Sequence, residues 1–151
     1  MEVREIMSAD LGVCTMEESI MTAAQRMEEC DCGAIPVVES KDNLRLIGLI
    51  TDRDIAIRAV ARGLDVQSTR VSECMSSDIT WVHPESQLQE VERIMENLQV
   101  RRVPVVDENR CLCGMVSVAD VALARSPQQA GEVVQEVSKP PGDPEHAAFL
   151  S

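Results

Sequence analysis

An α/β (α+β) fold made of two copies of one small unit is what the sequence predicts, each copy a small sheet with two packed helices. Three observations carry this. Shifting the chain by 68 residues lays VREIM (3–7) on VSECM (71–75) and AIPVVE (34–39) on RVPVVD (102–107). GLITDRDI (48–55) returns as GMVSVADV (114–121) at a shift of 66, because ESKDNLRLIG is two residues longer than DENRCLCG. A length change of that kind fits a surface hairpin loop. Between these matches the apolar positions hold helical register, with Ile20 on Leu88, Ala23 on Val91 and Met27 on Met95.

Each repeat opens with its VREIM or VSECM element and a short extended piece, at 13–14 and 79–82. A helix follows, its apolar face carrying Ile20, Ala23, Ala24 and Met27 in one copy and Leu88, Val91, Met95 and Leu98 in the other. Thr15 three residues before Glu18 has the spacing of a capping box, and Pro84 after His83 suits a first helical position. The runs 34–38 and 103–106 are β-rich and apolar. Each has a proline near its start, where a missing backbone donor costs little. A polar turn leads to LRLIGLI or CLCGMV as the next strand. The last helix carries Ile55, Ala59 and Val60 and stops at Gly63, with Val121 and Leu123 in its counterpart. The expected organisation is a first domain at 1–63, a linker at 64–70, a second domain at 71–125 and a tail at 126–151. The tail reads as a short helix over 130–137 and then disorder. A copy of about 60 residues has little core of its own, so the two are expected to pack as one body with pseudo-two-fold symmetry.

Composition narrows the function. The 151 residues include one Trp, one Phe and no Tyr, so the core must be aliphatic and the stacking platforms of single-strand binders are missing. Fourteen basic against 26 acidic residues give a formal charge of -12, which opposes attraction to nucleic-acid or anionic lipid surfaces. MEVREIMSADLG has no basic segment followed by a long apolar run, and no window approaches the ~20 apolar residues of a membrane span. The expectation is a cytoplasmic protein without nucleic-acid or membrane partners. Its six cysteines (Cys14, Cys30, Cys32, Cys74, Cys111 and Cys113) are then expected as thiols.

With VREIM and VSECM, AIPVVE and RVPVVD, LIGLITDRDI and LCGMVSVADV recurring in order from residue 3 to about 124, the chain resembles a tandem pair of CBS domains. This is the module named after cystathionine β-synthase, often called a Bateman module. The resemblance is to the stand-alone members of that family, so no attached catalytic or transport domain is expected.

The repeated hydroxyl and aspartate admit two readings. Thr51 with Asp54, and Ser117 with Asp120, have the spacing of helix caps, each contributing on the order of 1 kcal/mol. The same atoms suit a ligand: a helix N-terminus and a hydroxyl face phosphate oxygens, and a carboxylate accepts from both hydroxyls of a ribose. Gly48 and Gly114 are then expected to let the ligand approach the strand backbone. The resemblance implies an adenosyl ligand (AMP, ADP, ATP, NAD or S-adenosylmethionine) in clefts between the repeats. It places adenine against Val13, Cys14, Ile35 and Pro36 in one site and Thr80, Val82, Val103 and Pro104 in the other. Phosphate in so acidic a protein calls for a local cation, Arg53 for the first site and Arg101 or Arg102 for the second, against the alternative of solvated surface charges. Arg53 aligns with Ala119 and Arg101 with Gly33, so the two sites need not prefer the same ligand.

The pairs Cys30/Cys32 and Cys111/Cys113 lack the C-x-x-C spacing common at zinc sites and fall at non-equivalent places in the repeat, so thiols are favoured over a metal or redox site. Met7, Met21, Met27, Met75 and Met95 suit packing. His83 stands alone near a cap. No triad, carboxylate pair or Walker-type loop points to an enzyme, and no catalytic cofactor is expected. The sequence reading is therefore a regulatory sensor of adenine nucleotides, a homodimer by resemblance, acting on a protein supplied in trans. The alternative is a ligand-free interaction scaffold whose capping motifs are purely structural.

Overall fold

The structure, a computed structural model, describes residues 1–125. The tail expected at 126–151 lies outside the described residues. Among the described residues two compact units divide the chain: residues 10–79 with 106–112, and residues 1–9 with 80–105 and 113–125. Each unit thus contains the opening arm of the other repeat.

The first unit holds β1 (Cys14–Thr15), α1 (Ile20–Cys30), β2 (Ala34–Val38), β3 (Leu46–Thr51), α2 (Asp52–Ile55) and α3 (Val71–Cys74). α2 continues as a π-helical turn over Ala56–Val60, and the chain then leaves through Gly63 at φ 70°. The sheet order is β1-β2-β3. β1 runs parallel to β2 with Cys14 opposite Val37, and β3 runs antiparallel to it with Thr51 opposite Ala34. Beneath lies an aliphatic core of Ile20, Ala23, Met27, Ile35, Val37, Ile50 and Ala59, closed by Val71 and Cys74 from the VSECM arm.

The second unit repeats the plan. A 3-10 turn at Val3–Glu5 comes from the VREIM arm, followed by α4 (Leu88–Leu98), β4 (Arg102–Val106, of this unit as far as Val105), β5 (Leu112–Ser117, of this unit from Cys113) and α5 (Val118–Arg125). β4 and β5 form a two-stranded sheet, and Val82 adds a single parallel bridge to Val105. Val3, Val82, Val91, Val103, Val105 and Val116 make the core.

Both long helices begin later than the capping signals suggest. Glu18 does accept from the Thr15 amide at 2.9 Å, but α1 starts at Ile20 with Ser19 as its cap, accepting from the Thr22 amide at 3.2 Å. Pro84 likewise lies in a turn, and α4 starts at Leu88. The arms cause the delay. Val71 donates to the Glu18 carbonyl at 2.8 Å and Ile20 to that of Thr69 at 2.9 Å. In the second unit Val3 donates to Ser86 at 2.8 Å and Leu88 to Met1 at 3.1 Å. These bonds hold the residues before each helix extended, with Ser19 at ψ 155° and Gln87 at ψ 151°. Leu98, expected on the apolar face, is 52% exposed because α4 ends there and the chain turns at Gln99 (φ 55°). Ala24 is exposed as well.

Candidate functional site

The hydroxyl–aspartate pairs form the same reciprocal cap in both units. The Asp54 amide donates to Thr51 Oγ1 at 3.0 Å, and Asp54 Oδ2 accepts from the Thr51 amide at 2.9 Å. The Asp120 amide donates to Ser117 Oγ at 3.1 Å, and Asp120 Oδ2 accepts from the Ser117 amide at 2.8 Å. These caps satisfy donors that the strand-to-helix junction leaves unpaired. They use one carboxylate oxygen of each aspartate. The neighbouring residue also recurs: the Asp52 amide donates to the Gly33 carbonyl and the Val118 amide to that of Arg101, each at 2.9 Å. The start of each last helix is therefore tied to the residue that leads into β2 or β4.

Expected site residues fall into two groups. Cys14, Ile35, Val82 and Val103 point their side chains into the cores at 0–1% exposure, so what they can offer a ligand is backbone. Pro36 and Pro104 are buried too, Val13 is half-buried and Thr80 is exposed. Thr51 and Asp54 sit across from Ala34, one residue before Ile35, while Ser117 and Asp120 sit beside the Arg101 backbone. Asp120 lines a hollow with Ile6, Leu123 and Ala124. Arg53 is exposed, and Arg101 and Arg102 are half-buried. Arg101 lines a groove with Glu92, Met95, Val118 and Val121.

Gly48 and Gly114 have a different role from the one expected. A Cβ on Gly48 would stand 2.6 Å from the Ser76 carbonyl oxygen, and one on Gly114 would stand 2.9 Å from that of Ser8 and 2.8 Å from Met7 Sδ. Residues just beyond the arms bond to the strands there. Leu49 and Ser76 exchange backbone hydrogen bonds of 2.9 and 2.8 Å, and Met115 and Ser8 exchange two of 2.9 Å. The glycines admit the protein's own backbone.

Two arginines of the first unit, Arg58 and Arg26, hold contacts that were not expected from the sequence. Arg58 Nε lies 3.9 Å from Asp54 Oδ1, and its Nη1 donates to the carbonyls of Cys74 and Met75 at 3.1 Å each. An acid followed four residues later by a base on one helix face was the available signal. Arg26 donates to the Val13 carbonyl at 2.6 Å and to both oxygens of Glu18 at 2.8 and 2.6 Å. It also lies 3.3 Å from Cys14 Sγ. No pattern in sequence marks this cluster, because its members come from an extended piece, a turn and a helix. Arg26 holds the Glu18 carboxyl below its ordinary range, its hydrogen bond outweighing the opposing effect of burial. Burial pushes the Cys14 thiol up, with Arg26 offsetting part of the rise, and burial also raises Cys74. Neither buried thiol is therefore primed as a nucleophile.

The six-thiol expectation is corrected at one place: Cys30 and Cys32 are joined as a disulfide. The C-cap explains it. Asp31 adopts the left-handed conformation (φ 52°, ψ 50°), which brings the flanking Cα atoms to 5.4 Å, within the range a disulfide spans. Among the described residues no helix is long and apolar enough to cross a membrane, and no three or more His, Cys, Asp or Glu converge as a metal site.

Comparison with known proteins shows the family. The CBS domain model matches twice, at residues 3–60 and 71–126. Hypoxic response protein 1 of Mycobacterium tuberculosis is 42% identical over 119 residues, covering 79% of this chain and 81% of its own. A crystal structure of Hypoxic Response Protein I with two coordinated zinc ions superposes with a TM-score of 0.72 at 40% identity, covering 81% of this chain and 97% of that one. The CBS domain pair of protein MJ0100, in complex with 5'-methylthioadenosine and S-adenosyl-L-methionine, gives 0.73 at 26% identity, covering 83% and 100%. The chain belongs to the CBS domain family and carries two copies of the domain in tandem.

Proposed function

We propose that the protein is a regulatory module that binds an adenosyl ligand, with the ribose diol held by the carboxylate of Asp54 in one repeat and Asp120 in the other. The observation that carries this reading is the duplicated cap. Each box satisfies the helix start with only one carboxylate oxygen, and the same constellation recurs at the same strand-to-helix junction. The adenosyl complex of the MJ0100 pair supports the ligand class. Arg58 and Arg53 supply positive charge beside the first junction, while Ala124 and Ala119 stand at the aligned positions of the second. The first site accordingly suits a phosphorylated adenosyl ligand such as AMP or ATP, and the second a less anionic one. Ile57 and Leu123, at equivalent positions of the last helices, are 45% and 58% exposed and support self-association into a homodimer. Ligand state is then passed to a regulated protein in trans, provided the ligand binds two conformations with different affinity.

Titration calorimetry and thermal shift with AMP, ADP, ATP, NAD and S-adenosylmethionine test the reading. A ligand present at 100 times its dissociation constant adds ~2.7 kcal/mol of stability. Asp54→Ala and Asp120→Ala are each expected to remove binding at one site while costing about 1 kcal/mol of stability, the size of a lost cap. Silence of all five compounds with folded protein would leave the boxes purely structural and favour the interaction scaffold.

A further inference from the structure

We propose that Cys30 and Cys32 form a reversible thiol–disulfide site, oxidised and reduced by exchange with small disulfides and thiols without rearrangement of the backbone. The other repeat builds the same turn without sulfur. Leu98 and Val100 occupy the positions equivalent to Cys30 and Cys32, and they flank Gln99 just as the cysteines flank Asp31. Gln99 has φ 55° and ψ 42° against 52° and 50° for Asp31. The closing hydrogen bonds correspond as well: Val100 donates to the Met95 carbonyl at 3.3 Å, and Cys32 to that of Met27 at 3.0 Å. The helix C-cap therefore sets this turn whether or not sulfur bridges it. In the first repeat the cap holds two thiols at bridging distance before any bond forms, and it keeps them there once the bond is cut.

Location and loop length point the same way. Cys30 and Asp31 are exposed and Cys32 is half-buried, so a small reagent reaches the pair, whereas Cys14 and Cys74 are fully buried. A bridge across a single intervening residue closes too short a loop to restrict the unfolded chain much, which makes it a poor structural staple. Thiol exposure together with weak entropic gain is the character of an exchangeable bond rather than a permanent one. The site also abuts the first ligand junction, since Gly33 follows Cys32 directly and its carbonyl accepts from Asp52.

The exchange balances as follows. The thiolate of one cysteine attacks a sulfur of a small disulfide, expelling one thiolate and leaving a mixed disulfide. The second cysteine thiolate attacks the protein sulfur of that adduct, expelling the other thiolate and forming Cys30–Cys32. Two protein thiols are oxidised, one small disulfide is reduced to two thiols, and the two protons from the protein end on them.

The test equilibrates the whole chain with oxidised and reduced glutathione at varied ratio, followed by acid quench, alkylation and peptide mass spectrometry. The expected result is a single peptide spanning residues 30–32 that loses two hydrogens as the buffer becomes oxidising and regains them on reduction, with an unchanged circular dichroism spectrum. Cys30→Ser and Cys32→Ser should fold and no longer form the bridge, each retaining at most a glutathione adduct. The proposal is overturned if the pair stays dithiol across all ratios, if the bridge maps to other cysteines, or if oxidation changes the fold. It is equally overturned if zinc alone protects both thiols and no bridge forms without it.

Discussion

Gly48→Ala is expected to destabilise the protein by about 3 kcal/mol, although it adds one methyl group to a residue of ordinary strand conformation. The new Cβ would lie 2.6 Å from the Ser76 carbonyl oxygen, a backbone atom that cannot swing aside. Relief requires Ser76 to withdraw from β3, and its two hydrogen bonds with Leu49, at 2.9 and 2.8 Å, go with it. Overpacking of this kind costs about 1–3 kcal/mol and each lost bond about 1 kcal/mol. Gly114→Ala meets Ser8 at 2.9 Å and the flexible Met7 side chain at 2.8 Å, so about 2 kcal/mol is expected there. Gly12→Ala is the control: nothing lies within 4 Å of its Cβ, and stability should stay within about 0.5 kcal/mol of the parent. Urea unfolding of the three variants checks the series. Equal midpoints for Gly48→Ala and Gly12→Ala would show that Ser76 does not sit on that strand edge.

Arg26→Met should cost about 2 kcal/mol, because it removes the Arg26 donor from Glu18 Oε2 and from the Val13 carbonyl in a site where the Arg26 and Glu18 side chains are each 21% exposed. Removing one member of such a pair is harsher than removing both. The second repeat shows how a pairless version is built. Ile94 and Ser86 stand at the positions of Arg26 and Glu18, and Ser86 Oγ accepts from the His83 amide at 2.9 Å, as Glu18 does from Thr15. The double substitution Glu18→Ser with Arg26→Ile is therefore expected to recover stability to within about 1 kcal/mol of the parent. The pH dependence has a definite sign. The folded state holds the Glu18 carboxyl below its unfolded value, so its contribution is fully present above about pH 4.3 and is lost as pH falls through the lower folded value. Acid unfolding of the double variant should accordingly be shallower than that of the parent below pH 4.3. Parallel acid curves for the two proteins would remove Glu18 from the account.

The repeat, the strands read at 34–38 and 103–106 and the two caps were legible in sequence because each is set by residues close together in the chain. Hydrophobic periodicity fixes the inward faces of α1 and α4, and a hydroxyl three residues before an acid needs only its own backbone to close. Even the burial of Val103 and Ile35 follows from the apolar run around each proline.

What the tertiary structure decided are the features made by residues distant in sequence. Capping spacing alone would start the helices near residues 16 and 84. They start at Ile20 and Leu88 because arms from the opposite repeat hold the preceding residues extended. The motif glycines read as openings for a ligand, yet the backbone of Ser76 and Ser8 fills that space. The Arg26 cluster and the Arg58 contacts with Cys74 and Met75 likewise join separated segments. Local chemistry determined that this chain makes two similar strand-to-helix junctions. Which backbone lies against each junction, and therefore what each glycine and arginine does there, depends on an exchange of arms that no local window of sequence contains.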